Sequence, residues 1–183
     1  RIIADASTVI NTASDRVITI VDSMKSFARL DEAELKSVDI HEGLEDTVRL
    51  VQHDLGTRIQ IVRDYGEMEP IVCYPSRLNQ VFLCMVVNAI DAIEGEGTIE
   101  IRTRREGEEL HVSIHDSGAG IPPENMDKIF QPGFTTKGVG IGTGLGLSIC
   151  YQILQDHRGR IEVDSAAGEG STFTTVLTYE FDN

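Results

Sequence analysis

The segment Thr135-Thr-Lys-Gly-Val-Gly-Ile-Gly-Thr-Gly-Leu-Gly-Leu-Ser148 constrains this chain more than any other. Gly138, Gly140, Gly142, Gly144 and Gly146 alternate with other residues, and an apolar run, Leu147-Ser-Ile-Cys-Tyr-Gln-Ile-Leu154, follows at once. A backbone without Cβ atoms can turn successive N–H groups toward one point, and a helix N-terminus adds partial positive charge there. Together they make an anion cradle, most often for phosphate. A flexible linker is the bland alternative, but linkers do not run straight into an amphipathic helix.

Charge sharpens this. The 16 Lys and Arg stand against 30 Asp and Glu, a formal net charge of −14. That argues against a nucleic-acid-binding surface, which needs a basic face. It also means that an anion must be held by local features, since the global field repels it. Lys137, beside the glycines, is the obvious local cation.

With 183 residues, 40% of them hydrophobic, the chain can form one well-packed domain and an appendage. No apolar run approaches the length of a membrane span, and there is no secretory signal pattern. The first residue is Arg1 rather than Met, so a longer parent protein is expected, with room upstream for a membrane anchor. Cys73, Cys84 and Cys150 lack any Cys-x-x-Cys spacing and read as buried free thiols in a reducing compartment. This region is therefore expected to be cytoplasmic.

Residues 1–31 carry a heptad: Ile3, Ala6, Ile10, Ala13, Val17, Ile20, Met24 and Phe27. Such a seam needs a partner helix, either a second copy of the chain or a helix upstream. The mixture of Ala and larger residues suits a bundle. Residues 32–38 read as a linker. Asp39-Ile-His-Glu42 resembles a capping box, opening a helix with apolar Ile40, Leu44, Val48, Leu50, Val51 and Leu55, and Gly56 is its stop. Residues 58–63 and 70–74 read as strands, and Pro75-Ser76 opens a strongly apolar helix to about Ile93. Within it Cys84, Asn88 and Asp91 share one stripe. Polar groups on such a helix cost free energy unless they find partners, and a ligand or metal could be the partner.

Residues 98–104 and 110–116 read as a hairpin. Leu110, Val112 and Ile114 share one face, and the alternation continues to place Asp116 on it. An inward Asp before Ser117-Gly-Ala-Gly-Ile121 is poised to accept a hydrogen bond from a buried donor; an ordinary Asx turn is the alternative. A short helix from Pro122 to about Phe130, a helix from the glycine segment to about His157, and strands over 160–165 and 171–180 complete the chain. No two histidines show metal-ligand spacing on a helix.

Five segments in order then carry a resemblance to the catalytic domain of sensor histidine kinases. Asn88-Ala-Ile-Asp-Ala-Ile is similar to that family's N box, and Asp116-Ser-Gly-Ala-Gly-Ile to its first glycine box. Ile129-Phe-Gln-Pro-Gly-Phe-Thr-Thr-Lys137 is similar to its F box, Gly142-Thr-Gly-Leu-Gly-Leu-Ser-Ile to its second glycine box, and Gly168-Glu-Gly-Ser-Thr-Phe173 to its closing glycine motif. The heptad helix resembles the second helix of the dimerisation and histidine-phosphotransfer bundle, with residues 39–183 as the catalytic domain.

The resemblance implies an α/β two-layer sandwich of the Bergerat type shared with gyrase and Hsp90. A mixed sheet would carry helices on one face, with ATP and Mg2+ as cofactors. Asn88 would ligate Mg2+ through its amide oxygen, as hard cations prefer. Asp116 would accept from the adenine amino group, and Gly118, Gly120 and Ile121 would pass close to the base. Phe130 and Phe134 would anchor a mobile lid. Lys137 with Gly142, Thr143, Gly144, Leu145, Gly146 and Leu147 would hold the phosphates. Ser171 or Thr172 would fix the adenine through water. Asp91 would touch water or metal. Thr135 to Gly140 would be the mobile part of the lid.

Three positions depart from the family. Cys84 stands where a second Asn is common, and a thiol is a poor Mg2+ ligand. The residue near the metal-binding helix end is Asp91 rather than Lys or an aromatic. Gly133 stands in the F box where an aromatic is common, which would loosen the lid. The phosphoacceptor segment, His-Glu-x-x-x-Pro-Leu, has no match; His41-Glu42 has only its first two letters. The expected partners are thus ATP, an upstream bundle helix carrying the phosphoacceptor, a response regulator receiver domain, and a second copy of the chain through the N-terminal helix. The rival readings are a degenerate scaffold, or another ATPase or serine kinase of the same superfamily.

Overall fold

The computed structural model of the chain describes residues 34–136 and 142–179. The heptad segment, Lys137 and most of the expected mobile lid therefore lie outside the described residues.

Asp39 caps helix α1 (Ile40–Leu50), its Oδ1 accepting from the His41 N–H at 2.9 Å. The buried face is Ile40, Leu44, Thr47 and Val48, the spacing of a one-sided helix. Leu50 departs from expectation. It falls off that stripe and is 72% exposed, while Val51 is buried at the break before the short helix α2 (Gln52–Leu55). Gly56, at φ +56°, ends this unit as expected. Within the residues assigned to a linker, Lys36–Val38 form strand β1, which pairs antiparallel with β3 (Ile71–Cys73).

The main sheet contains β2 (Ile59–Tyr65), β4 (Gly97–Glu106), β5 (Glu109–Asp116), β6 (Arg160–Ala166) and β7 (Gly170–Thr178), in the order β2-β4-β5-β7-β6. β2 runs parallel to β4, and the remaining pairs are antiparallel, so the sheet is mixed. Between β2 and β4 the chain passes through β3 and α3 (Pro75–Ala92), the long apolar helix. After β5 come a short α4 (Pro123–Met126) and α5 (Gly146–Asp156).

Period-two alternation makes one sheet face apolar: Ile99, Ile101, Leu110, Val112, Ile114, Phe173 and Leu177 are buried beneath the helices. α3 lies centrally, packed against α1 and α5, with Val81, Phe82 and Val86 fully buried. The opposite face is polar, with Arg102 and Arg104 both paired to Asp64. The architecture is the expected two-layer α/β sandwich.

Register positions the site. Neighbouring strands align Ile101, Ile114, Phe173 and Val163 in one inward row. The next inward row toward the end of β5 is Ile99, Asp116, Ser171 and Ser165. The apolar face thus ends in a polar corner.

Candidate nucleotide site

Asp116 is 3% exposed, and its Oδ1 accepts from the Gly118 N–H at 2.8 Å. Burial pushes its pKa above the usual carboxylate range, against the opposing effects of the Gly118 N–H, His115 and the Ser171 N–H. A carboxylate with so few internal donors is suited to accept from a ligand that enters the corner.

The loop after Asp116 is fixed by its backbone. The Ala119 N–H donates to the Ala92 carbonyl at the end of α3 (3.0 Å), and the Gly168 N–H donates to the Ala119 carbonyl (2.7 Å). The Ile121 N–H donates to Ser165 Oγ at 2.8 Å, and that hydroxyl donates toward the Gly170 carbonyl and lies 3.0 Å from Ser171 Oγ. Positions 118 and 120 have no room for a side chain. A Cβ at Gly118 would lie 2.5 Å from the Ala92 oxygen, and one at Gly120, whose φ is +68°, would lie 2.0 Å from the Ala166 oxygen. Gly118 and Gly120 are therefore required by close backbone approach. Ile121 packs partly buried against the core and acts as an anchor.

The other end of the cleft is formed by α3 and the start of α5. Asn88 Nδ2 points at Cys84 Sγ, 3.7 Å away, which leaves Oδ1 for another partner. Asp91 lies one turn further along α3 and is exposed. Gly146 sits on Cys84: a Cβ there would be 2.8 Å from Sγ. α5 begins without a side-chain cap, so its first backbone N–H groups are not taken by a capping residue. Thr143 Oγ1 accepts from the Leu145 N–H at 3.4 Å, and Leu147 packs against the core.

The F-box segment meets this corner through glycine. The Gly133 N–H donates to the Gly144 carbonyl at 2.9 Å, and a Cβ at Gly144 would lie 2.4 Å from the Gly133 carbonyl carbon. Gly133 itself holds φ +85°. The close contact is made by the absent side chain of Gly144, since a Cβ at Gly133 would meet nothing within 4 Å and only its positive φ favours glycine there; the lid that Gly133 was expected to loosen lies mostly outside the described residues. Phe130 lies against Tyr151 with ring centroids 6.0 Å apart, and Phe134 is partly buried on the core.

Thr172 does not reach the corner. Its hydroxyl bonds His115 Nδ1 at 3.0 Å on the outer sheet face, because Thr172 and His115 are register partners one step out of phase with Asp116 and Ser171. Ser171, 4% exposed, is the residue brought to the corner. Two contributors escaped the sequence reading. Ser165 ties the loop to β7, as above. Arg58 donates to the Ile93, Gly95 and Ile90 carbonyls at 2.9, 3.3 and 3.4 Å, holding the C-terminus of α3. Alternation along β6 would have pointed Ser165 inward; nothing in the sequence marks Arg58.

A mixed sheet with helices on one face, a buried carboxylate at a sheet corner and a glycine-bounded helix start define a nucleotide-binding α/β sandwich. The chain belongs to the family of histidine kinase-, DNA gyrase B-, and HSP90-like ATPases, which matches residues 73–180. It is similar to the sensor histidine kinase ZraS of Escherichia coli K12, at 37% identity over 90% of this chain and 35% of that protein. It is also similar to the sensor kinase CckA of Brucella abortus, at 33% identity over 90% of this chain and 19% of that protein. Among solved structures, the nucleotide-free catalytic domain of the histidine kinase ThkA superposes with a TM-score of 0.72. That match has 31% identity and covers 80% of this chain and 96% of that one. ThkA in complex with the response regulator TrrA gives a TM-score of 0.77 at 27% identity, covering 94% of this chain and 50% of that one. The chain is thus the ATP-binding catalytic domain of a sensor histidine kinase, and it spans about a third of the length of ZraS. No helix among the described residues is long and apolar enough to cross a membrane.

Proposed function

We propose that this chain binds Mg-ATP and delivers its γ-phosphoryl to a histidine on an upstream helix of the parent protein, from which it passes to a response regulator aspartate. The observation that carries the reading is Asp116: a buried carboxylate with one oxygen on the Gly118 N–H, in a corner where a Cβ at Gly118 or Gly120 would overlap backbone. Such an acceptor suits the exocyclic amine of adenine. Gly118 and Gly120 let the loop close on Ala92 and Ala166 at the edge of that corner, and Ser171 lines it.

At the other end, the uncapped start of α5 suits the phosphates. Asn88 offers an amide oxygen, a fitting ligand for Mg2+, and among the described residues no group of three His, Cys, Asp or Glu side chains could hold a metal ion. Metal affinity would therefore come with the nucleotide, whose phosphate oxygens and water complete the coordination; Mg2+ would neutralise charge on the transferring group. Lys137 is assigned to the phosphates from its place in the F box. The heptad of residues 1–31 supports a paired helix in the parent and hence a homodimer.

Thermal unfolding with and without Mg-ATP tests the binding. A stabilising shift that shrinks in both Asn88→Ala and Asp116→Asn is expected; no shift for the unaltered chain would remove the reading. Acid-labile label on an added histidine-bearing bundle helix, using radiolabelled ATP, tests the transfer.

A further inference from the structure

Cys84 and Cys150 meet where α3 and α5 pack. Cys84 is half-buried on α3, one turn before Asn88, and Gly146 at the start of α5 sits directly on its sulfur. Cys150 follows Gly146 by one helical turn and so shares that face of α5. It is fully buried, and its thiol lies 4.0 Å from the Val81 carbonyl, one turn before Cys84 on the same side of α3. The two thiols are close enough for Cys84 to help push the Cys150 thiol well up, and Cys84 is the less buried of the two. Cys73 lies apart on β3, buried within the core, where burial pushes its thiol up to about 11.

We infer that Cys84 and Cys150 are a redox-active pair beneath the phosphate end of the cleft, oxidised by hydrogen peroxide to a disulfide that opposes Mg-nucleotide binding. The balance is simple. Cys84 sulfur attacks a peroxide oxygen; the S–O bond forms, the O–O bond breaks, and water leaves with the thiol proton. Cys150 sulfur then attacks Cys84 sulfur; the S–S bond forms, the S–O bond breaks, and a second water leaves with the Cys150 proton. Two electrons pass from the dithiol to peroxide, giving two waters. Burial sets this order: the less buried Cys84 meets the oxidant, and Cys150, whose thiol burial and Cys84 push well up, acts only as the resolving group once the sulfenic acid lies against it.

The coupling to nucleotide rests on the function proposed above. In the reduced protein Cys84 Sγ faces Asn88 Nδ2 and turns Oδ1 outward. A disulfide draws that sulfur toward Cys150 and shifts Gly146, moving Asn88 and the α5 N-terminus together. Conversely, bound Mg-nucleotide covers Cys84 and slows its oxidation, as reciprocal linkage requires.

The test uses the full chain and a non-hydrolysable Mg-ATP analogue. After peroxide treatment, peptide mass mapping is expected to give a Cys84–Cys150 cross-link, lighter by two hydrogens and reversed by dithiothreitol, with Cys73 unmodified. Analogue affinity of the oxidised chain is expected to fall roughly tenfold, within the usual range of coupling between sites, and to recover on reduction. Cys150→Ala is expected to bind the analogue normally and to lose the peroxide effect. Failure of the cross-link to form overturns the pair, and a cross-link that leaves affinity unchanged overturns the coupling. A reduced chain that does not bind the analogue instead overturns the nucleotide reading and the coupling with it, while the disulfide map still decides the pair.

Discussion

At the Asp116 end of the cleft, almost every constraint is a backbone hydrogen bond or a backbone overlap. The Ala119, Gly168 and Ile121 N–H groups are all engaged, and Gly118, Gly120 and Gly170 press against carbonyls of Ala92, Ala166 and Asp116. At the Cys84–Gly146 end, the contacts are a thiol against a glycine, an amide against a thiol, and a helix start without a side-chain cap. Backbone carbonyls cannot move without disturbing the sheet, whereas a side-chain sulfur can turn. The first end should therefore behave as part of the fold and the second as a part that adjusts to ligand.

Substitutions that add one methyl separate the two. Gly120→Ala has the largest expected effect. A left-handed φ costs an L-residue about 1–2 kcal/mol, and overlap with the Ala166 carbonyl adds strain of the overpacking kind, about 3 kcal/mol lost in all. A denaturation midpoint near that of the parent would show that this end is not locked by its backbone.

Asp116→Asn comes next. Asn can keep the Gly118 bond through Oδ1, but its Nδ2 would confront a donor on the ligand. Loss of a hydrogen bond to a charged group is worth about 1.5–3 kcal/mol, so calorimetric ATP affinity should fall roughly 10- to 100-fold. Stability should hold or rise slightly, because burial raises the Asp116 pKa and the ionised form costs the fold at neutral pH. Unaltered affinity would mean that the carboxylate does not read the base.

Gly146→Ala should do the reverse. Ala is favoured over Gly in a helix by about 0.5–1 kcal/mol, which partly offsets the contact with Cys84 Sγ. Stability should change little, while Mg-ATP binding weakens by roughly tenfold, about 1.4 kcal/mol, as the start of α5 moves. Adding Cys84→Ala should restore part of that loss; a double variant no better than the single would place the strain elsewhere.

The smallest effect is remote from both ends. His157 is buried, with Nδ1 on the Ile153 carbonyl at 2.7 Å and Nε2 accepting from the Tyr74 N–H at 3.1 Å, so it joins α5 to the start of α3 in its neutral form. Burial lowers its pKa below the usual value of about 6.5. The unfolded chain then takes up a proton that the folded chain refuses. Stability is complete above about pH 6.5 and falls as pH drops below it toward the folded pKa, by at most about 1.4 kcal/mol per pH unit for one proton. Melting curves between pH 7.5 and 5.5 should show this slope, and His157→Gln should flatten it.

Much of this was legible in the chain. Regular apolar spacing placed α3 and α5 nearly to the residue, and strict alternation along β5 turned Asp116 inward before any fold was known. The phase of β7 was not legible, because Phe173, Val176, Leu177 and Tyr179 mix both faces of a strand; only pairing with β5 separated Ser171 from Thr172. β1 is not legible, since a three-residue strand with two exposed side chains and only Val38 against the core carries no period. Leu50 was misplaced because the helix breaks at Val51 and ends the repeat one residue early.

The sequence by itself determined the chemistry available: which residues lack side chains, which helix carries an amide and a thiol one turn apart, and which strand ends in a carboxylate. These depend on local spacing, which the chain carries in full. The tertiary structure alone decided the partners. Ala92, Ala166, Ser165 and Gly170 close around the Asp116 loop, Arg58 holds the end of α3, and Cys150 faces Cys84, all through contacts between residues distant in the chain. Register and helix packing set those pairings, and neither is written in the spacing of any one segment.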